Sequence, residues 1–312
     1  MALRPMDESD YQKIRDSFVQ ANYFWVLVCI ILGVFSHVSR TIRWQILLEP
    51  LGKKVGFWNT FAAIMISYVA NLALPRLGEV VRCTILKKYE DIPVNKSLGT
   101  VVAERVADTA TLFILFCIVL ITQFSLLSNY ATQKVFIPLS EKFGNLTGNF
   151  SFWLIVFAGL IITFLVGIYI HSKRKSKFGN KVKMILVGFW EGIQSFKKMK
   201  KPGLFLFHSV LIWALYIASV LIAFQALEEL SSFGLMPALA SLVFGTFGII
   251  AAPGGIGAYP VLVMETLHLY GLSSASGFAF GWILWTAQTV SILVLGLISF
   301  LYLPLINRKI VK

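Results

Sequence analysis

Long apolar runs, separated by short polar or basic segments, dominate the chain. The longest cover 23–48, 101–124, 152–170, 204–226 and 276–306. An α-helix needs about 20 apolar residues to cross a hydrocarbon layer of about 30 Å. Each run therefore predicts a helix that crosses a membrane.

Two further apolar runs are each broken at a proline. The first runs from Phe57 to Pro75 and continues to Tyr89, and the second breaks at the stretch PGGIGAYP, which begins at Pro253. Proline lacks the backbone N–H that a helix interior needs, and irregular backbone at membrane depth must pack on protein or line a cavity. We expect two re-entrant hairpins, over 57–89 and 237–272, with full spans as the alternative.

The basic residues predict an orientation for these elements. Segment 171–201 contains ten lysines and arginines, loop 125–150 contains two, and loop 227–236 contains none. Cytoplasmic loops are enriched in such residues, so segment 172–201 and the C-terminus are expected in the cytoplasm, with a bacterial inner membrane as the location. The first hairpin must then open towards the cytoplasm and the second away from it, which predicts two inverted halves.

The predicted fold class is all-α, a polytopic helical membrane protein with one transmembrane domain over 1–312. An apolar periodicity of 3–4 residues predicts an amphipathic helix near the N-terminus and another within the basic segment, where lysines of 173–201 would meet anionic lipids. The expected parts are an N-terminal segment 1–21, a first half 22–124, a connector with a span and an amphipathic helix 151–201, and a second half 203–306.

Composition excludes a soluble globular protein. Of the 312 residues, 57% are hydrophobic and only 14% are charged, and the mean hydropathy is +0.76. The net charge of +13 lies mainly in loops beside apolar runs, so it indicates membrane orientation and not a nucleic-acid partner. The sequence contains no HExxH, GxSxG or GK[ST] pattern, and we expect no catalytic residue, metal or cofactor.

Charged residues within the apolar pattern are the candidate site. Arg76, Glu79 and Arg82 follow the first break on one stripe of a helix, and Glu104, Arg105 and Asp108 lie in the first half of a span. An ionised group at that depth costs about 2.5–3.5 kcal/mol on insertion scales. These residues therefore predict either a cavity or a structural salt bridge, and for the first group also a span that simply ends at the membrane surface.

Three stretches, NLALPRLGEVVRC, GTVVAERVADT and AAPGGIGAYP, together resemble the transmembrane-region family of lysylphosphatidylglycerol synthase/flippase proteins. The resemblance covers about 22–306 and implies two re-entrant helices that meet in the membrane, where members flip aminoacylated phosphatidylglycerol. The soluble synthase domain is not in these 312 residues, so we expect no lipid synthesis. The matching positions predict substrate-binding residues Pro75, Arg76, Gly78, Glu79, Arg82, Glu104, Arg105, Asp108, Pro253, Gly254, Gly255 and Gly257.

The resulting functional hypothesis is a flippase-like lipid translocator that moves a phospholipid or aminoacyl-phospholipid headgroup through a charged midplane cavity. Its partners would be membrane phospholipids, and an oligomer is compatible with it. The alternative is a membrane glycosyl- or phosphotransferase, or a flippase, that acts on a polyprenyl-phosphate-linked glycan. A third hypothesis is a structural partner of a biosynthetic enzyme.

Overall fold

The computed structural model describes residues 7–52, 54–74, 76–133, 137, 159 and 199–308, and all regular structure within them is helical. Pro75, most of the basic amphipathic segment and, apart from residue 159, the predicted connector span over 152–170 lie outside the described residues. The described α-helices are α1 (Glu8–Gln20), α2 (Tyr23–Leu48), α3 (Phe57–Ala73), α4 (Leu77–Glu90), α5 (Val94–Thr122), α6 (Phe124–Ala131), α7 (Pro202–Ala223), α8 (Leu235–Ala251), α9 (Ala258–His268) and α10 (Ser274–Ile306).

Four of the described helices are long and apolar enough to cross a membrane: α2, α5, α7 and α10. Helix α5 begins at Val94, earlier than the predicted span, because Pro93 precedes it at the N-cap position and proline is well tolerated at the start of a helix. Many large apolar side chains of these helices are exposed, as expected for surfaces that contact lipid. The chain is thus an all-α, multi-pass membrane protein.

The first broken segment is a helical hairpin. Helix α3 ends at Ala73 and α4 begins after Arg76, whose φ of 69° is in the left-handed region. The two arms run antiparallel, because the Glu90 carboxylate at the end of α4 accepts hydrogen bonds from the Gly56 N–H (3.0 Å) and the Asn59 amide (2.7 Å) at the start of α3. The predicted helix–break–helix is present.

The second broken segment is also two packed helices around a non-helical turn. Helices α8 and α9 flank the glycine-rich stretch, in which Gly254, Gly255 and Gly257 have φ of 62°, 74° and 73°. Only glycine adopts such angles without steric cost. Helices α3 and α8 have 17 residues each, about 25 Å at 1.5 Å per residue. The inverted, re-entrant arrangement stays a prediction.

The turns of the two hairpins touch each other. A Cβ added at Gly254 would lie 3.0 Å from the Leu72 side chain in the last turn of α3. Helix α10 packs on both hairpins through glycines: a Cβ at Gly281 would lie 2.7 Å from the Pro260 Cα of α9, and one at Gly296 would clash with Val69 of α3. The two hairpins and α10 are thus packed closely together at these glycines.

A tryptophan of α10 holds the second turn in place. The Trp285 indole N–H donates a 2.8 Å hydrogen bond to the Gly254 carbonyl. We expect Trp285→Phe, which keeps an aromatic ring and removes the donor, to lower the free energy of unfolding by about 1 kcal/mol. Unfolding in detergent measures the change. Equal stability of Trp285→Phe and the native protein would show that this bond does not restrain the turn.

The N-terminal segment forms helix α1, which packs beside α10. The Phe18 side chain contacts the buried apolar residues around Phe224 and Phe280. The link between α1 and α2 contacts the segment that follows α7, because the Asn22 N–H donates a 2.8 Å hydrogen bond to the Ala226 carbonyl. The predicted amphipathic helix is therefore part of the packed structure.

Candidate functional site

Two carboxylates of α5 form the centre of a buried ionic cluster. Glu104 and Asp108 are one helical turn apart, so both side chains lie on the same face of α5. Their side chains are only 1% and 13% exposed. Carboxylates at this depth are costly unless cations and hydrogen bonds compensate them, and arginines from two other helices do so.

Helix α2 supplies two of these arginines. Arg40 Nη1 lies 2.9 Å from Glu104 Oε1 and 2.8 Å from Asp108 Oδ2. Arg43 Nη2 lies 3.1 Å from Glu104 Oε1, and its Nη1 lies 2.7 Å from Asp108 Oδ1. Arg40 also donates a weak hydrogen bond of 3.4 Å to the hydroxyl of Tyr216 on α7. The cluster therefore joins α2, α5 and α7.

Arg82 connects the first hairpin to the same cluster. Its Nη1 lies 2.8 Å from Glu104 Oε2, and its guanidinium lies 4.6 Å from the centroid of the Trp44 ring. The Trp44 N–H donates a 2.9 Å hydrogen bond to Thr100 Oγ1. Since Arg82 is buried, the position of α4 depends on Glu104 as directly as that of α2 does.

A second ion pair lies closer to the surface of the protein. Arg105 Nε lies 3.2 Å from Glu79 Oε1, and the two side chains are 48% and 27% exposed. Glu79 lies one turn along α4 from Arg76, and its N–H donates to the Arg76 carbonyl at 3.2 Å. Arg76 is exposed and makes no ion pair with any residue of the described ranges. The structure thus pairs Arg82 with Glu104 and Glu79 with Arg105, and it leaves Arg76 apart from Asp108.

The glycines of the predicted site have clear packing roles. A Cβ at Gly78 would clash with the Ser67 carbonyl oxygen of α3, and the Gly78 N–H donates a 2.8 Å hydrogen bond to Asn71. Pro253, Gly254 and Gly255 form the non-helical turn between α8 and α9, and Gly257 has open space beside it. These residues shape the two turns, and their role in binding substrate stays a prediction.

Sequence reasoning missed Arg40 and Arg43 as site residues. They lie in the last third of the first apolar run, where charged residues beside a membrane surface are ordinary. The signal that could have found them is the one used for Glu104: an ionised group inside a span needs a partner. The sequence contains two arginines three residues apart in one span and two carboxylates four residues apart in another. Each pair lies on one face of its helix, so the two pairs could neutralise each other.

One pair of polar residues near the cluster connects α2 to α7. Ser39 Oγ and His208 Nδ1 are 2.9 Å apart, and both residues are buried. In the part of the chain that the structure describes, no group of three or more His, Cys, Asp or Glu residues has an arrangement that could hold a metal ion.

Comparison with protein families decides where the chain belongs. The model of the lysylphosphatidylglycerol synthase transmembrane region matches residues 3–307. The chain belongs to this family. No solved structure matches the chain.

Curated relatives of this family member include archaeal membrane proteins. A UPF0104 membrane protein of Methanocaldococcus jannaschii is 32% identical over 115 residues, which are 36% of this chain and 34% of that protein. Another, from Methanothermobacter thermautotrophicus, is 28% identical over 100 residues, 31% of this chain and 30% of that protein. The matched region thus spans about a third of these relatives' own length.

A third relative carries an enzyme name. The glycosyltransferase AglD of Haloferax volcanii is 34% identical over 99 residues, which are 31% of this chain but only 16% of that protein.

Proposed function

We propose that this protein is a flippase-like translocator that moves the headgroup of a phospholipid or aminoacyl-phospholipid across the membrane. The observation that carries the proposal is the contact between the turns of two helical hairpins, at Leu72 and Gly254, together with the charged first turn of α4. Broken helices in two parts of a membrane protein are the usual pointer to a central transport site. Family membership agrees with this function.

The charged groups suit a headgroup that contains a phosphate. Arg76 is exposed and makes no ion pair with the described residues, and Arg105 is half exposed beside Glu79, so a phosphate has two guanidinium groups within reach of the first turn of α4. Arginine is well suited to phosphate oxygens because its donors form a rigid fork. Glu79 is then available for an amine of the headgroup. Arg82, Glu104 and Asp108 lie behind this site and fix the position of α4 against α5. The acyl chains stay in the bilayer, against the exposed apolar faces of the spans.

The experiment is lipid movement in vesicles. Purified protein is reconstituted with fluorescent phospholipids of several headgroups, and the fraction that an external quencher reaches is followed with time. Protein-free vesicles and vesicles with heat-inactivated protein are the controls. The proposal predicts faster movement of at least one anionic or aminoacylated headgroup, and rates equal to those of empty vesicles for all headgroups contradict it.

Arg76 provides the sharpest variant. Arg76→Gln is expected to slow lipid movement by about tenfold, the effect of losing one charged hydrogen bond to a phosphate. It should leave the melting temperature unchanged, because Arg76 is exposed and makes no ion pair in the described structure. Lys87→Gln at the far end of α4 is the matched control and should move lipid at the native rate. Native lipid movement by Arg76→Gln would instead show that Arg76 does not bind the headgroup.

The similarity to glycosyltransferase AglD supports a second candidate. This candidate is a transferase or flippase that acts on a polyprenyl-phosphate-linked glycan, whose phosphate has the same charge as a phospholipid's. Incubation of the purified protein with a lipid-linked sugar and mass spectrometry of the products distinguish the two. A changed glycan indicates a transferase, whereas movement of the unchanged lipid-linked sugar indicates a flippase of that substrate.

The distribution of basic residues supports a proposed orientation. We place the protein in the cytoplasmic membrane with 172–201 and the C-terminus on the inner side, where lysines and arginines of 173–201 would bind anionic lipids. Cysteine labelling with a membrane-impermeant reagent checks this: Lys312→Cys should react only after the membrane is permeabilised, and reaction in intact cells reverses the orientation.

A further inference from the structure

Among the described residues, the buried ionic cluster has one positive charge more than its carboxylates neutralise. Three guanidinium groups, of Arg40, Arg43 and Arg82, face the two carboxylates of Glu104 and Asp108. The Arg43 side chain is 0% exposed, and those of Arg40 and Arg82 are 9% and 5% exposed. Within the part of the chain that the structure describes, the neighbouring carboxylate of Glu79 is already paired with Arg105. An uncompensated buried charge is strongly unfavourable, so the cluster needs one more anion.

Two nitrogens of the same arginines also have no hydrogen-bond partner. Arg40 Nε and Arg43 Nε are buried, and neither has a hydrogen-bond partner among the described residues. The large majority of buried side-chain polar atoms in proteins are hydrogen-bonded, and a buried donor without a partner costs about 1–3 kcal/mol. Arg40 and Arg43 thus contribute to the excess positive charge and also carry the two donors without a partner.

We propose that the Nε edges of Arg40 and Arg43 bind a phosphate-class oxyanion, as the innermost part of the headgroup site. An oxyanion provides both missing elements at once, a negative charge and acceptor oxygens. Glu104 and Asp108 are then positioning residues, because they hold the Nη groups of the two arginines and so orient the Nε groups. The inference rests on the proposed function for its physiological ligand, which is either a lipid phosphate ester or free phosphate.

The first test is anion-dependent stability of the full-length protein in detergent. The probes are inorganic phosphate, against sodium gluconate of equal ionic strength, and dioctanoyl phosphatidylglycerol, against uncharged dioctanoylglycerol. A ligand that binds only the folded state raises the melting temperature with its concentration. We expect at least one phosphate probe to do so, and we expect Arg40→Lys and Arg43→Lys to weaken the apparent affinity about tenfold or more, because lysine keeps the charge and lacks the Nε donor.

A second variant supplies the missing charge from the protein itself. Ser209 Oγ lies 3.3 Å from Arg43 Nη1, so Ser209→Asp places a carboxylate beside the cluster. We expect this variant to melt at or above the native temperature without phosphate and to lose the response to phosphate. Arg15→Lys, at an exposed arginine of α1, is the control and should respond as the native protein does.

The outcomes separate the two sources of phosphate. A response to both probes, or to the lipid alone, assigns the site to a lipid headgroup, and a response to inorganic phosphate alone assigns it to the free anion. A response to neither probe overturns the proposal, as does an equal response in the native protein, Arg40→Lys and Arg43→Lys.

The anion site and the translocator can fail independently. A protein that moves lipid in vesicles but is not stabilised by either probe loses the anion site and remains a translocator. A protein that responds to phosphate through Arg43 but moves no lipid keeps the anion site, and the proposed transport is then wrong.

Discussion

Glu104→Gln is expected to lower the free energy of unfolding by about 3–5 kcal/mol, the usual cost of breaking a buried ion pair by removing one partner. Glu104 accepts from Arg40, Arg43 and Arg82 at 2.8–3.1 Å and is 1% exposed. Glutamine has almost the same shape, but it removes the charge and turns an N–H₂ donor towards arginines that need an acceptor. Denaturant unfolding of the purified protein in detergent measures the loss.

The matched control is Glu79→Gln, the same change at the half-exposed pair. Because water screens that pair, its removal is expected to cost at most about 1 kcal/mol. A similar loss for both variants, or a Glu104→Gln protein as stable as the native one, would mean that the buried cluster is not what joins α2, α4 and α5.

Gly78→Ala is expected to prevent close packing of the first hairpin and to cost about 3 kcal/mol, the upper end for an overpacked site. The added Cβ would clash with the Ser67 carbonyl oxygen and lie 2.8 Å from Asn71 Cγ. Backbone atoms cannot move aside as a flexible side chain does, so α4 has to shift away from α3. Arg82 moves with α4, so its contact with Glu104 should weaken as well.

Gly33→Ala on α2 is the control for helix propensity, because a Cβ there meets nothing within 4 Å. It should be neutral or stabilise the protein by up to about 1 kcal/mol. Thermal unfolding of both variants in the same detergent compares them. If Gly78→Ala melts at the temperature of Gly33→Ala, the hairpin arms do not need this close approach.

Glu104→Gln and Gly78→Ala test two different structural features. The Glu104 cluster joins three elements that are distant in sequence, whereas Gly78 determines how closely the two arms of one hairpin approach. The candidate headgroup site at Arg76, Glu79 and Arg105 lies on the elements that both features position. Loss of transport in either variant therefore indicates a disturbed site, and only Arg76→Gln separates binding from stability.

Much of the fold was predictable from apolar run lengths and from the two prolines. The spans that became α2, α5, α7 and α10 were each expected, because about 20 apolar residues have no stable place outside a membrane or a large core. The breaks at Arg76 and at 253–257 were expected because proline and glycine cannot continue a helix cheaply. Element ends differed by a few residues, as at Val94.

The candidate site was predictable only in part. Glu104 and Asp108 stood out because carboxylates inside a span need partners, and the structure pairs two of the candidate residues of α4, Arg82 and Glu79, with charges of α5. Arg40 and Arg43 could not be recognised, since an arginine near the end of an apolar run usually reaches the membrane surface. Their buried position depends on how α2 packs against α5 and α7.

The sequence by itself determined that the chain is a helical membrane protein, where its helices break, and which charged residues are out of place in lipid. These properties follow from local chemistry, namely the apolarity of each run and the backbone limits of proline and glycine. Only the tertiary structure decided which charges pair, that Arg76 stays free among the described residues, and that the two turns meet at Leu72 and Gly254. Pairing depends on distances between helices that lie far apart in sequence, and no local pattern encodes those distances.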